Sequence, residues 1–108
     1  MAEFERVASV DDFEQGKLYN FKVSDKYVAV VRNGERFYAM LNACTHAGFF
    51  LTPVNINDDG ETVPCLAHGA EFRLEDGEAT RGPADAPLIL YDVRVDGESV
   101  MVAPRSNS

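Results

Sequence analysis

Two cysteines and two histidines are all that the 108-residue chain contains, and they fall in two short clusters. The first is Cys44-Thr45-His46 and the second Cys65-Leu66-Ala67-His68, with 18 residues between His46 and Cys65. Thiolate and imidazole are metal ligands, so one of each in both clusters marks a candidate metal centre. Two centres satisfy a set of two Cys and two His: tetrahedral zinc, or a two-iron, two-sulfide cluster. Zinc modules commonly take Cys with Cys from one element and His with His from a helix. Here each cluster supplies one of each, and no helical pattern lies nearby. That mixed order suits a binuclear centre with both cysteines on one iron and both histidines on the other.

The scaffold around the clusters reads as all-β. Asn33-Gly34, Asp59-Gly60, Asp76-Gly77 and Asp96-Gly97 are turn dipeptides that tolerate positive φ. Asn33-Gly34 lies between Lys26-Tyr27-Val28-Ala29-Val30-Val31-Arg32 and Glu35-Arg36-Phe37-Tyr38-Ala39-Met40-Leu41, two runs rich in β-branched and aromatic residues. Asp96-Gly97 likewise joins a strand over Leu90 to Val95 to one over Ser99 to Val102. Alternation of Val93 and Val95 with Asp92 and Arg94 predicts one buried and one wet face. Strands are also expected over Phe4 to Val7 and Leu18 to Val23, with one helical turn over Val10 to Glu14 opened by Ser9. The tail from Pro104 is expected to fray. Residues 42–87 hold four of the five prolines and little alternation, which predicts a loop-rich insertion cross-linked by its metal.

At this length the whole chain, residues 1–108, is expected to be one domain. A formal net charge of −8 argues against nucleic acid and anionic membrane surfaces. It fits solvation, or docking onto a basic protein partner. The first residues lack the apolar core of a signal peptide, and no apolar run approaches the ~20 residues of a membrane span. A cytoplasmic protein is the expectation, and two cysteines each beside a histidine do not read as a disulfide framework there.

The two loops carry a resemblance. Cys44-Thr45-His46-Ala47-Gly48-Phe49-Phe50-Leu51 fits Cys-x-His-x-Gly-x-x-Leu, and Cys65-Leu66-Ala67-His68-Gly69-Ala70-Glu71-Phe72 fits Cys-x-x-His-Gly-x-x-Phe. The chain thus resembles the Rieske [2Fe–2S] domain, in particular the Rieske-type ferredoxins of bacterial ring-hydroxylating dioxygenase systems. Gly77 and Gly82-Pro83-Ala84 are similar to the turn and proline loop of that family, and the likeness runs from about Asp25 to Val102. It implies an antiparallel β-sandwich base carrying an inserted, loop-rich cluster-binding subdomain at about 42–87. It also implies one [2Fe–2S] cluster, with Cys44 and Cys65 on the buried iron and His46 and His68 on the outer one. Such a cluster is neutral when oxidised, which raises its potential above that of an all-cysteine cluster.

High-potential members place a serine and a tyrosine where this chain has Ala70 and Phe72, and their hydroxyls stabilise the reduced cluster. They also carry an extra disulfide and a membrane anchor. The departures imply a low potential, on the order of −150 mV. The neighbours admit blander roles. Phe49 and Phe50 are read as shielding the cluster, with partner docking as the alternative; Gly48 and Gly69 let backbone approach the sulfides or simply turn the chain. The acidic stretch Asn57-Asp58-Asp59-Gly60-Glu61 is read as a solvated turn. The function implied is single-electron transfer from a flavoprotein NAD(P)H reductase to a terminal Rieske non-haem iron oxygenase acting on aromatic rings. The protein itself is then not an enzyme, and is a monomer forming transient complexes. The alternatives are the small subunit of an assimilatory nitrite reductase and a zinc-stapled binding module.

Overall fold

The computed structural model describes residues 4–43, 55–65, 70–81 and 87–105. Strand β1 (Glu5–Ser9) is followed by a 3₁₀ turn (Val10–Asp12), then β2 (Leu18–Val23), β3 (Lys26–Asn33) and β4 (Arg36–Leu41). Three short strands follow: β5 (Thr62–Cys65), β6 (Ala70–Arg73) and β7 (Ala79–Arg81). The chain closes with β8 (Leu90–Asp96) and β9 (Ser99–Pro104). Six strands form one antiparallel sheet in the order β1-β9-β8-β4-β3-β2, and β5-β6-β7 form a second. The architecture is an antiparallel base with a smaller sheet inserted between β4 and β8.

The large sheet curls until its edges approach, with the Ser24 hydroxyl at the end of β2 donating to the Glu5 carboxylate on β1. Curling encloses one core, built from Val23, Val28, Val30, Ala39, Val100 and Val102 around Phe13. The Phe13 ring meets Tyr19 and Phe37 edge-on, with centroids 5.2 and 5.3 Å apart, a favoured aromatic geometry. A second core lies on the other face of the sheet. There Leu18, Ala29, Val31 and Met40 pack with Val63, Phe72 and Leu74 of the small sheet and with Leu88. β3 therefore feeds both cores: Val28, Ala29, Val30 and Val31 are each 0 % exposed. Its run of apolar residues is the signature of a strand covered on both faces.

The two predicted hairpins form, with turns displaced by one residue. Register pairs Asn33 with Arg36 and Asp96 with Ser99, so the central residues are Gly34-Glu35 and Gly97-Glu98. Gly34 and Gly97 take φ of +67° and +65°, the left-handed region where glycine is not penalised. Asn33 and Asp96 instead end their strands. Gln15 clamps the first turn, accepting from the Gly34 N–H and donating to its carbonyl at 2.7 and 3.1 Å.

Other differences have local causes. β1 begins and ends later than the expected Phe4 to Val7, and the turn after it is a 3₁₀ turn in which the Ser9 N–H donates to the Asp12 carboxylate at 2.9 Å. Val95 stands beside the turn of its hairpin and is 46 % exposed, so the buried face expected of β8 stops short of it. Within residues 42–87, expected to be a loop-rich insertion, the short strands β5, β6 and β7 run between the loops. Pro64 weakens the strand signal of Thr62–Cys65, but β5 is an edge strand, where proline's missing N–H costs no ladder bond.

Candidate metal centre

Cys65 is the last residue of β5 and pairs in register with Ala70, the first of β6. The Cys-x-x-His loop is thus the connection of a β-hairpin. Behind that tip, Val63 pairs with Phe72, and both side chains are 0 % exposed. Phe72 is more than a position without a hydroxyl: it is the largest fully buried side chain among the described residues and joins the small sheet to the base. Cys44, His46 and His68, with Phe49, Phe50, Gly48, Gly69 and the Gly82-Pro83-Ala84 loop, lie outside the described residues. The structure therefore places the backbone of Cys65 at the end of a hairpin strand.

The segments that flank the outlying stretches are tied to the base at several points. Before Cys44, the Leu41 N–H donates to the Ile89 carbonyl at 2.7 Å and the Asn42 N–H to the Tyr27 carbonyl at 2.9 Å. After the first stretch, the Ile56 N–H donates to the Gly16 carbonyl at 2.7 Å. The small sheet is stitched on by the Leu88 N–H to Gly77 carbonyl bond at 2.7 Å and by Asn33 Nδ2 to the Gly60 carbonyl at 2.8 Å. Gly77 has φ +77°, and a Cβ there would stand 2.8 Å from the Leu88 carbonyl oxygen. Only glycine combines that backbone with that close approach. Asn42, buried at 1 % exposure, was not singled out from the sequence; the alternation Tyr38, Met40, Asn42 carried the signal.

The acidic turn before β5 is braced by its own side chain and backbone. The Asp59 carboxylate accepts from the Glu61 and Thr62 N–H groups at 2.8 and 3.0 Å, and the Gly60 N–H closes onto the Asn57 carbonyl at 2.9 Å. The Glu61 N–H, then the Thr62 hydroxyl, hold the Asp59 carboxyl below the ordinary aspartate value of 3.8. In the β6–β7 turn, Arg73 Nε donates to Asp76 at 3.0 Å, and that guanidinium, with the Glu78 N–H, likewise holds Asp76 low. A depressed folded-state value stabilises the fold above the unfolded value, and that contribution is lost as pH falls through the folded one. Both sites thus favour folding from about pH 4 upward. The urea midpoint should drop as pH falls below about 4. The Asp76→Asn variant should differ from the parent at pH 6 and converge on it in acid; parallel curves down to pH 2 would contradict this.

A family model for the Rieske [2Fe-2S] domain matches residues 3–103. The chain belongs to the Rieske [2Fe–2S] domain family. The ferredoxin component of biphenyl 2,3-dioxygenase from Rhodococcus jostii (strain RHA1) is 30 % identical over 97 residues, covering 90 % of this chain and 89 % of that protein. The solved ferredoxin of carbazole 1,9a-dioxygenase from Nocardioides aromaticivorans IC177 superposes with a TM-score of 0.88 at 34 % identity, covering 94 % and 98 % of the two chains. A solved complex of reduced oxygenase and oxidised ferredoxin in carbazole 1,9a-dioxygenase matches with a TM-score of 0.86 at 27 % identity, over 97 % and 96 %. Nitrite reductase small subunits share the fold at 18 and 19 % identity, a likeness of fold alone. Among the described residues of this Rieske domain, no helix is long and apolar enough to cross a membrane.

Proposed function

We propose that this Rieske domain holds one [2Fe–2S] cluster through Cys44, His46, Cys65 and His68 and passes single electrons from a flavoprotein NAD(P)H reductase to a terminal Rieske non-haem iron oxygenase. The observation that carries the reading is the place of Cys65. It ends a strand in which Val63, two residues earlier, is buried with Phe72, so the hairpin offers an anchored root for a Cys-x-x-His loop. The donor set fits the group: two thiolates and two neutral imidazoles match the charge of two ferric ions and two sulfides. The cluster, when bound, takes up and releases one electron at a time. Cys44 and Cys65 serve as its thiolate ligands; His46 and His68 each bind through a neutral ring nitrogen and keep the other N–H for a partner. Residues 1–108 act as one domain, with about 42–87 as the cluster-binding part.

Relatives that are ferredoxin components of dioxygenases support this reading over a permanently assembled nitrite reductase subunit. So does the solved oxygenase–ferredoxin complex as the kind of encounter such a chain makes. The net charge of −8 steers that encounter toward basic partner surfaces. Raising ionic strength from about 0.01 to 0.15 M shortens the Debye length from ~30 to ~8 Å. Electron delivery to the oxygenase, measured by stopped flow at limiting ferredoxin, should slow by on the order of tenfold. A rate independent of salt would remove electrostatic steering from the account, and no transfer at any salt would remove the function.

A further inference from the structure

Two polar side chains are buried among the described residues, and each stands at the root of a cysteine loop. Thr62 opens β5, three residues before Cys65, and its hydroxyl bonds Asn57 and Asp59 in the preceding turn. Asn42 stands two residues before Cys44, just past the end of β4. Its N–H extends the β3–β4 ladder onto the Tyr27 carbonyl at 2.9 Å. Its side chain reaches past β3 to β2, with Nδ2 donating to Asn20 Oδ1 at 2.8 Å.

Asn20 is exposed, whereas Asn42 is 1 % exposed. Asn42 follows Tyr38 and Met40 on the side of β4 that faces the small sheet. A leucine would fill that volume without the cost of desolvating an amide. What a hydrogen bond adds over apolar contact is direction. The next residue turns at once, the Ala43 N–H donating to the Leu41 carbonyl at 2.8 Å. The heading of the chain is thus fixed within two residues of Cys44.

We propose that Asn42 is a positioning residue for the Cys44 loop: its buried amide, hydrogen-bonded across the sheet to Asn20, sets the direction in which the chain leaves β4. This rests on the reading of Cys44 as a cluster ligand. Groups that hold ligands in place change metal retention by about 10- to 100-fold. The link should therefore show in how long the cluster is kept.

The test uses the full chain reconstituted with iron and sulfide, as parent, Asn42→Leu, Asn20→Leu and Asn20→Asp. Asn42→Leu keeps the branched shape, with bulkier ends, and removes the bond. Asn20→Leu removes it from an exposed site that spares the core, so it carries the test should Asn42→Leu fail to fold. Asn20→Asp keeps an acceptor for Asn42. Both leucine variants should bind two irons with parent-like circular dichroism and release them to a chelator about tenfold faster, while Asn20→Asp stays within about twofold of the parent. Parent-like release from the leucine variants would overturn the positioning role and leave the cluster reading standing. Equal acceleration in all three would also overturn it, since the retained acceptor would then be irrelevant. A parent that takes up no iron would overturn the cluster reading and this role together.

Discussion

Replacing Cys65 with serine is expected to bring the iron content of the reconstituted protein to background and to abolish its visible absorbance. Serine keeps the size of the side chain and substitutes a hydroxyl that does not ionise near neutral pH for a thiol that does. Iron–sulfur clusters are held by thiolates, so the loss follows from the donor rather than from packing. The hairpin itself should survive, because its lock is the Val63–Phe72 pair and not the tip. Far-UV circular dichroism of the variant should therefore keep its strand signal while iron analysis finds none. Two irons retained in Cys65→Ser would remove this cysteine from the ligand set.

Phe72→Ala is expected to have the opposite profile, with stability lost first and the centre second. The ring is 0 % exposed and packs with Val63, Leu74 and Leu88 against Met40, Ala29 and Val31 of the base. Truncating a buried phenylalanine costs about 3–5 kcal/mol, through lost transfer energy and the cavity left behind. A domain of this size has about 5–15 kcal/mol in total. The urea midpoint should therefore fall by about a fifth or more of its value, at about 3 kcal/mol lost. A loss below about 1 kcal/mol would mean that the small sheet is held to the base by something other than this side chain.

Much of the base was legible because its strands carry their own signals. β3 and β4 are rich in β-branched and aromatic residues and are joined at a glycine, and both form where expected. The alternation that predicts a buried face for β8 fails at Val95, which runs past the core. The small sheet was not legible. Its strands have four, four and three residues, and one of them holds Pro64. What stabilises them is long-range, the burial of Val63, Phe72 and Leu74 against a base contributed by distant sequence. Of the candidate ligands, the sequence marked Cys65 by its neighbour His68, and the fold adds that it ends a strand. Cys44, His46 and His68 rest on the loop motifs and on family membership. Asn42 was hidden because asparagine at a strand end ordinarily reads as a turn residue.

The midpoint potential of the reconstituted protein, taken by spectroelectrochemistry with iron and zinc counted on the same sample, tests the central claim most directly. A ferredoxin-type centre without hydroxyl donors at positions 70 and 72 should bind two irons and titrate as a one-electron couple on the order of −150 mV. A couple near +300 mV, or a colourless protein with one zinc, would contradict it.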